Sequence, residues 1–106
     1  MIHIMVGTNR PKSRSLQVAK IVEELFQQEQ QACELIELEK IPLSALKGKH
    51  FSEAKPEEAA SVIESLNESE GFFIICPEYN GSMPGALKYF IDFWSYPETF
   101  QSRPVA

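Results

Sequence analysis

The stretch from Gly71 to Ser95 dictates what this chain can fold into, because its character changes twice. Phe72 to Cys76 is an apolar run too short for most helices, and its aromatic and β-branched residues suit a strand buried on both faces. Pro77 removes a backbone donor and stops the ladder. Asn80-Gly81 then marks a turn, since both residues tolerate positive φ. Pro84 fits the first turn of a helix, where a missing N–H costs little. Beyond it Leu87, Phe90, Ile91 and Trp94 recur at i, i+3, i+4 and i+7, which is one apolar helical face. The order is strand, polar loop, helix. The loop lies at the strand's carboxyl end, where open parallel sheets bind ligands.

The same order stands at the start of the chain. Ile2-His3-Ile4-Met5-Val6 predicts a first buried strand that ends at Gly7. The loop Thr8-Asn9-Arg10-Pro11-Lys12-Ser13-Arg14-Ser15 carries three hydroxyls and three cations without an acidic group. From Leu16 the pattern is helical, with Val18, Ile21, Val22 and Leu25 sharing a face, and Ser13 or Ser15 is a natural N-cap. A helix start offers unpaired N–H groups and the positive end of the dipole, so strand, basic hydroxyl loop, helix is the architecture of an anion site.

Cys33 to Leu38 reads as a second strand, polar enough for a sheet edge. Ile41 to Ala54, with Pro42 and Gly48, reads as a long loop, and Pro56 starts a second helix with Ala59, Val62, Ile63 and Leu66 on its apolar face. Pro104-Val105-Ala106 resembles the first step of a fourth strand. The predicted fold class is therefore α/β, a parallel sheet with right-handed crossovers and helices on both faces. Its switch point lies between strands one and three, which brings the Thr8–Ser15 loop beside Pro77–Ser82.

A length of 106 residues predicts a single domain, and 43% hydrophobic residues suffice for a core. A net charge of −5 argues against nucleic acid or an anionic membrane as partner. No apolar run reaches the length of a membrane span, and Met1-Ile2-His3-Ile4 lacks the charged start of a signal peptide, so the expected compartment is the cytoplasm. Cys33 and Cys76 are isolated in strand-like runs and are expected to be buried free thiols. His3 and His50 lack metal-ligand spacing, so no metal is expected. Neither a Walker loop nor a Gly-x-Gly-x-x-Gly turn is present, and no Ser/His/Asp or Cys/His arrangement can be argued. Thr8, Arg10, Ser13 and Ser15 suit an anion, while Tyr79 and its loop suit a flat hydrogen-bonding ligand. A solvated, N-capped loop and a strand-ending turn would account for the same residues.

Gly7 to Ser15 together with Pro77-Glu78-Tyr79-Asn80-Gly81-Ser82-Met83-Pro84-Gly85-Ala86-Leu87-Lys88 resembles the NADPH-dependent FMN reductase family, the flavodoxin-like group that includes quinone, azo-dye and chromate reductases. The resemblance runs from Ile2 to Ala106, and its second motif is the more specific. It implies that Thr8, Arg10, Ser13 and Ser15 hold the phosphate of FMN, and that Pro77, Glu78, Tyr79, Asn80 and Gly81 line the isoalloxazine, mostly through backbone groups. Ser15 stands where many relatives have Asn, and Arg14 where an aromatic is common. The implied activity passes hydride from NADPH or NADH to FMN and on to a small-molecule acceptor: a quinone, an azo compound, a metal or a free flavin. Implied too is a homo-dimer or homo-tetramer.

Such proteins continue through further strands, so residues 1–106 resemble a flavodoxin-like FMN-binding domain incomplete at its C-terminus, cut as strand four starts. The resulting expectations are self-association and weak or no FMN binding. The competing readings are a catalytically incompetent fragment and a non-redox anion-binding module.

Overall fold

Two apolar runs and a more polar one form three strands of five residues each, paired along their whole length. In the computed structural model, which describes residues 1–46 and 57–106, the strands are β1 (Ile2–Val6), β2 (Cys33–Glu37) and β3 (Gly71–Ile75). The helices are α1 (Arg14–Gln28), α2 (Glu57–Asn67) and α3 (Gly85–Ile91). Pro56, Gly48, His50 and the far part of the Ile41–Ala54 loop lie outside the described residues. Its near part forms a short 3-10 turn at Leu43–Leu46, and another at Leu38–Lys40 follows directly on β2.

The sheet is parallel throughout, in the order β2-β1-β3. Ile4 stands level with Leu35 and Phe73, and Met5 with Ile36 and Ile74. Because strand side chains alternate, this register sorts the sheet into two faces. On one, Met5, Ile36 and Phe72 pack with Ala59, Ile63 and Leu66 of α2 and Leu87 and Phe90 of α3. On the other, Ile4 and Val6 pack with Ala19 of α1, flanked by Leu16, Val22, Phe26, Leu35, Phe73 and Ile75. Helices cover both faces, and β2 is the edge. Beyond β3, residues 104–106 extend the ladder: Phe72 N–H donates to the Pro104 carbonyl at 3.0 Å and Ile74 N–H to Ala106 at 2.8 Å.

Four expectations are corrected. On α1 the sheet-facing stripe is Leu16, Ala19, Val22 and Phe26, whereas Val18, Ile21 and Leu25 are 48%, 57% and 54% exposed. Ala19 explains the choice: its small side chain lets the helix axis approach the sheet, and Phe26 then meets Phe73 edge-on at 6.0 Å. Cys76 is exposed, because β3 ends one residue earlier, and Cys33 is half-buried; both thiols are free. Pro84 is the N-cap of α3 and not its first helical residue. Trp94 lies beyond the end of α3 yet is still buried, packed edge-on against Phe90 and at a tilt against Phe72 and Phe100, at centroid distances of 5.2 to 6.1 Å.

The segment after Trp94 is clasped to the end of α2. Arg103 Nε donates to the Ser69 carbonyl at 2.8 Å, and its terminal nitrogens donate to the carbonyls of Glu98 and Asn67. A cation bonded to the last carbonyl of a helix satisfies an orphan acceptor and opposes the negative dipole end.

Candidate functional site

Two loops leave the sheet side by side at its carboxyl edge. Gly7 N–H donates to the Ile75 carbonyl at 2.8 Å, so the loop after β1 and the loop after β3 start from one paired position. A Cβ at Gly7 would stand 2.8 Å from Cys76 Cβ and 3.0 Å from Leu87 Cδ2, and only glycine lets the two strand ends and α3 approach so closely.

The first loop is shaped by its turn and its cap. Lys12 adopts φ 52°, which turns the chain into α1, and Ser13 Oγ accepts the Leu16 N–H at 3.0 Å as the N-cap. The second loop is closed by a two-residue turn. Tyr79 and Ser82 exchange backbone bonds of 2.9 and 3.2 Å around Asn80 at φ 52° and Gly81 at φ 78°, both left-handed, as a type I′ turn requires. A hydroxyl pair joins the loops: Thr8 Oγ1 lies 2.8 Å from Tyr79 Oη, and Thr8 Oγ1 also accepts the Arg10 N–H at 3.2 Å.

Two cavities meet at Tyr79. The smaller, about 370 Å³, is lined by Arg10, Lys12 and Arg14, by Ser13 and Ser15, and by Gln17, Pro77 and Tyr79. It carries three cations, no carboxylate and the N-terminus of α1, an electropositive setting suited to an anion. The larger, about 600 Å³, is lined by Leu43, Pro84, Ala86, Tyr79 and Tyr89, with Asn9, Ser44 and Gly85 completing its wall. It is mostly apolar with a few polar groups, which is the usual character of a cofactor pocket.

Of the residues singled out from the sequence, the structure brings Arg10, Ser13, Ser15, Pro77 and Tyr79 to the walls of these cavities. Thr8 is buried behind them, bonded to Tyr79. Glu78, Asn80 and Gly81 are exposed, and none of them lines either cavity. Lys12 and Arg14, both exposed, also line the smaller cavity. Leu43, Ser44 and Tyr89 escaped sequence reasoning. Tyr89 follows the second motif directly, but nothing in the sequence signals that the chain after β2 folds back to this edge.

A β2-β1-β3 parallel sheet with helices on both faces, and with an electropositive pocket and an apolar cavity at its switch point, defines a flavodoxin-like α/β protein. The chain belongs to the NADPH-dependent FMN reductase family, whose model matches residues 1–106. It is 31% identical over 108 residues to a quinone reductase of Pseudomonas putida strain KT2440, an alignment spanning 99% of this chain and 56% of that protein. In solved structures the fold matches the NADH:FMN oxidoreductase EMOB, apo form, at a TM-score of 0.80 with 17% identity, covering 98% of this chain and 54% of that one. It also matches FerB, an NAD(P)H:(acceptor) oxidoreductase of Paracoccus denitrificans, at a TM-score of 0.76 with 24% identity, covering 98% and 57%. The chain thus spans about half the length of the relatives it matches. Among the described residues, no helix is long and apolar enough to cross a membrane.

Proposed function

We propose that this chain binds FMN and serves an NAD(P)H-dependent oxidoreductase that reduces a small-molecule acceptor such as a quinone. The observation that carries the reading is the junction at Tyr79 of a cationic, hydroxyl-lined cavity with a larger apolar one. That pair suits a ligand with an anionic tail and a flat body. The donor set fits FMN: the α1 N-terminus, Ser15 and Arg10 suit its phosphate, and the apolar cavity suits its ring system. FMN held there would supply the chemistry of hydride transfer between a nicotinamide and the acceptor. The protein's part is to hold and orient. Arg10 adds charge and a directional fork of donors at the phosphate, and Pro84, Ala86 and Tyr89 shield the flat body from water.

Flavin fluorescence titration tests the binding half. Arg10→Ala should weaken FMN by about tenfold, the worth of one charge-assisted hydrogen bond, and leave riboflavin unaffected. Equal losses for both flavins would sink the phosphate assignment. NAD(P)H oxidation with added quinone tests the enzymatic half. Flavin bound without turnover would keep the binding role and remove the enzymatic one from this chain.

A further inference from the structure

His3 stands level with the segment that follows Trp94. Its register partner on β3 is Phe72, and Phe72 bridges in turn to Val105. His3 is 3% exposed, and among the described residues neither ring nitrogen has a hydrogen-bond partner. A neutral imidazole tolerates such a place at a cost, whereas an imidazolium must find room for two N–H donors and a charge. The charged groups around it come from three sides. Glu34 of β2 brings a half-exposed carboxylate 3.3 Å from Nε2. The Met1 ammonium, paired with Glu70, lies two residues back on the same strand. Arg103 of the last segment is the third, and its field opposes a second cation at His3. The helices on this face add apolar side chains, and their charged residues Glu57, Glu58, Glu64, Glu68, Lys88 and Asp92 are exposed. With His3 neutral, the Met1 and Arg103 cations face the Glu34 and Glu70 carboxylates. Protonation of His3 adds a third cation.

The three cations are not held equally. Met1 is anchored by its pair with Glu70 and by its carbonyl, which accepts the Glu70 N–H at 3.0 Å. Arg103 rides on residues 95–106, a strap with little regular structure. Three ladder bonds join its end to β3: Phe72 N–H to Pro104, Ile74 N–H to Ala106, and Ala106 N–H to Phe72. Its other ties are the Arg103 bonds to the carbonyls of Asn67, Ser69 and Glu98, the Thr99–Asn67 contact, and Phe100 against Trp94. Segments with few such ties open before the fold does. We infer that His3 is a proton-operated latch on this strap: an imidazolium there drives off the Arg103 guanidinium, and residues 95–106 leave β3 while the rest of the sheet stays paired. The opened form admits water to His3 and takes the proton more readily than the closed form, so acid favours opening. Opening bares the outer edge of β3, a row of backbone groups ready to pair with another chain.

Amide exchange read by NMR in the full 106-residue chain tests the latch, each rate being corrected for its intrinsic pH dependence. Between pH 7.5 and pH 5 the Phe72, Ile74 and Ala106 amides should lose about tenfold in protection, while the Gly7 amide, bonded to Ile75 within the sheet, keeps its own. In His3→Gln, which cannot take the proton, the three strap amides should hold their protection at both pH values. Arg103→Met should lower their protection already at pH 7.5 and blunt the further loss in acid. Trp94, the single tryptophan, reports the same opening, since it is 9% exposed and packs on Phe100. Its emission should move to longer wavelength in acid in the parent and stay fixed in His3→Gln. An equal loss at Gly7 would mean that the whole fold opens, and an undiminished acid loss in His3→Gln would free the strap from His3; either overturns the inference. If His3→Gln does not fold, the parent decides: the His3 ring protons must titrate with the same midpoint as the strap amides, and separate midpoints overturn the latch.

Discussion

His3 is a buried imidazole in the middle of β1, on the face where Met5 packs against α2 and α3. Its Nε2 lies 3.3 Å from a Glu34 carboxylate oxygen, but the pair does not align as a hydrogen bond, and Glu34 is half exposed. Burial therefore outweighs the carboxylate and holds the imidazole below its ordinary value of 6.5, with the N-terminal ammonium and Arg103 acting the same way. The folded form then resists protonation more than the unfolded form does. In the interval below 6.5 the unfolded chain binds the extra proton, so stability is fully present above 6.5 and falls as pH drops toward and through the folded value. Urea midpoints of the parent should fall between pH 7.5 and pH 5, and those of His3→Leu should fall less. Glu70, whose carboxyl the N-terminal ammonium holds below 4.5, titrates outside that window and does not confuse the comparison. An identical drop in His3→Leu would assign the effect elsewhere.

At the scale of single elements, the Tyr79–Ser82 turn positions the aromatic residue on which both cavities depend. Asn80 sits at φ 52°, where Asn is tolerated, glycine is at ease and proline is excluded by its fixed negative φ. Asn80→Gly should keep FMN affinity, Asn80→Ala should cost about 1–2 kcal/mol for the left-handed conformation, and Asn80→Pro should abolish binding. Similar losses from Ala and Pro would point to a contact by the Asn80 side chain. This turn was legible in the sequence because Asn-Gly carries its own conformational requirement. So were the three strands, each set by local residues, while the cap was narrowed to Ser13 or Ser15 and the structure chooses Ser13. The face of α1 was not. Leu16, Ala19, Val22 and Phe26 compete with Val18, Ile21 and Leu25, and only contact with the sheet decides which stripe turns inward. The larger cavity was hidden for a related reason, since Leu43, Ala86 and Tyr89 meet only after the chain has folded back.

Across the whole molecule, that choice of face leaves a surface that the core does not use. Val18, Ile21 and Leu25 lie at i, i+3 and i+7 on α1, each about half exposed, so they form one apolar stripe along the outside of the helix. Scattered apolar residues are ordinary on a surface, but a continuous stripe on one helix favours contact with another apolar surface. The net charge of −5 opposes the approach of a second copy, and salt screens that repulsion. Self-association is therefore expected to rise with protein concentration and with ionic strength. The discriminating variant is Ile21→Glu with Leu25→Lys. It removes two apolar side chains, leaves the net charge unchanged, and places Glu four residues before Lys, the helix-supporting orientation worth about 0.2–0.5 kcal/mol. Light scattering over a dilution series should show the parent's apparent mass rising with concentration and salt, while the variant stays at the monomer mass with an unchanged urea midpoint. Association that persists undiminished in the variant would exclude the α1 stripe and direct attention to the strand edge at residues 104–106, where Val105 is 62% exposed.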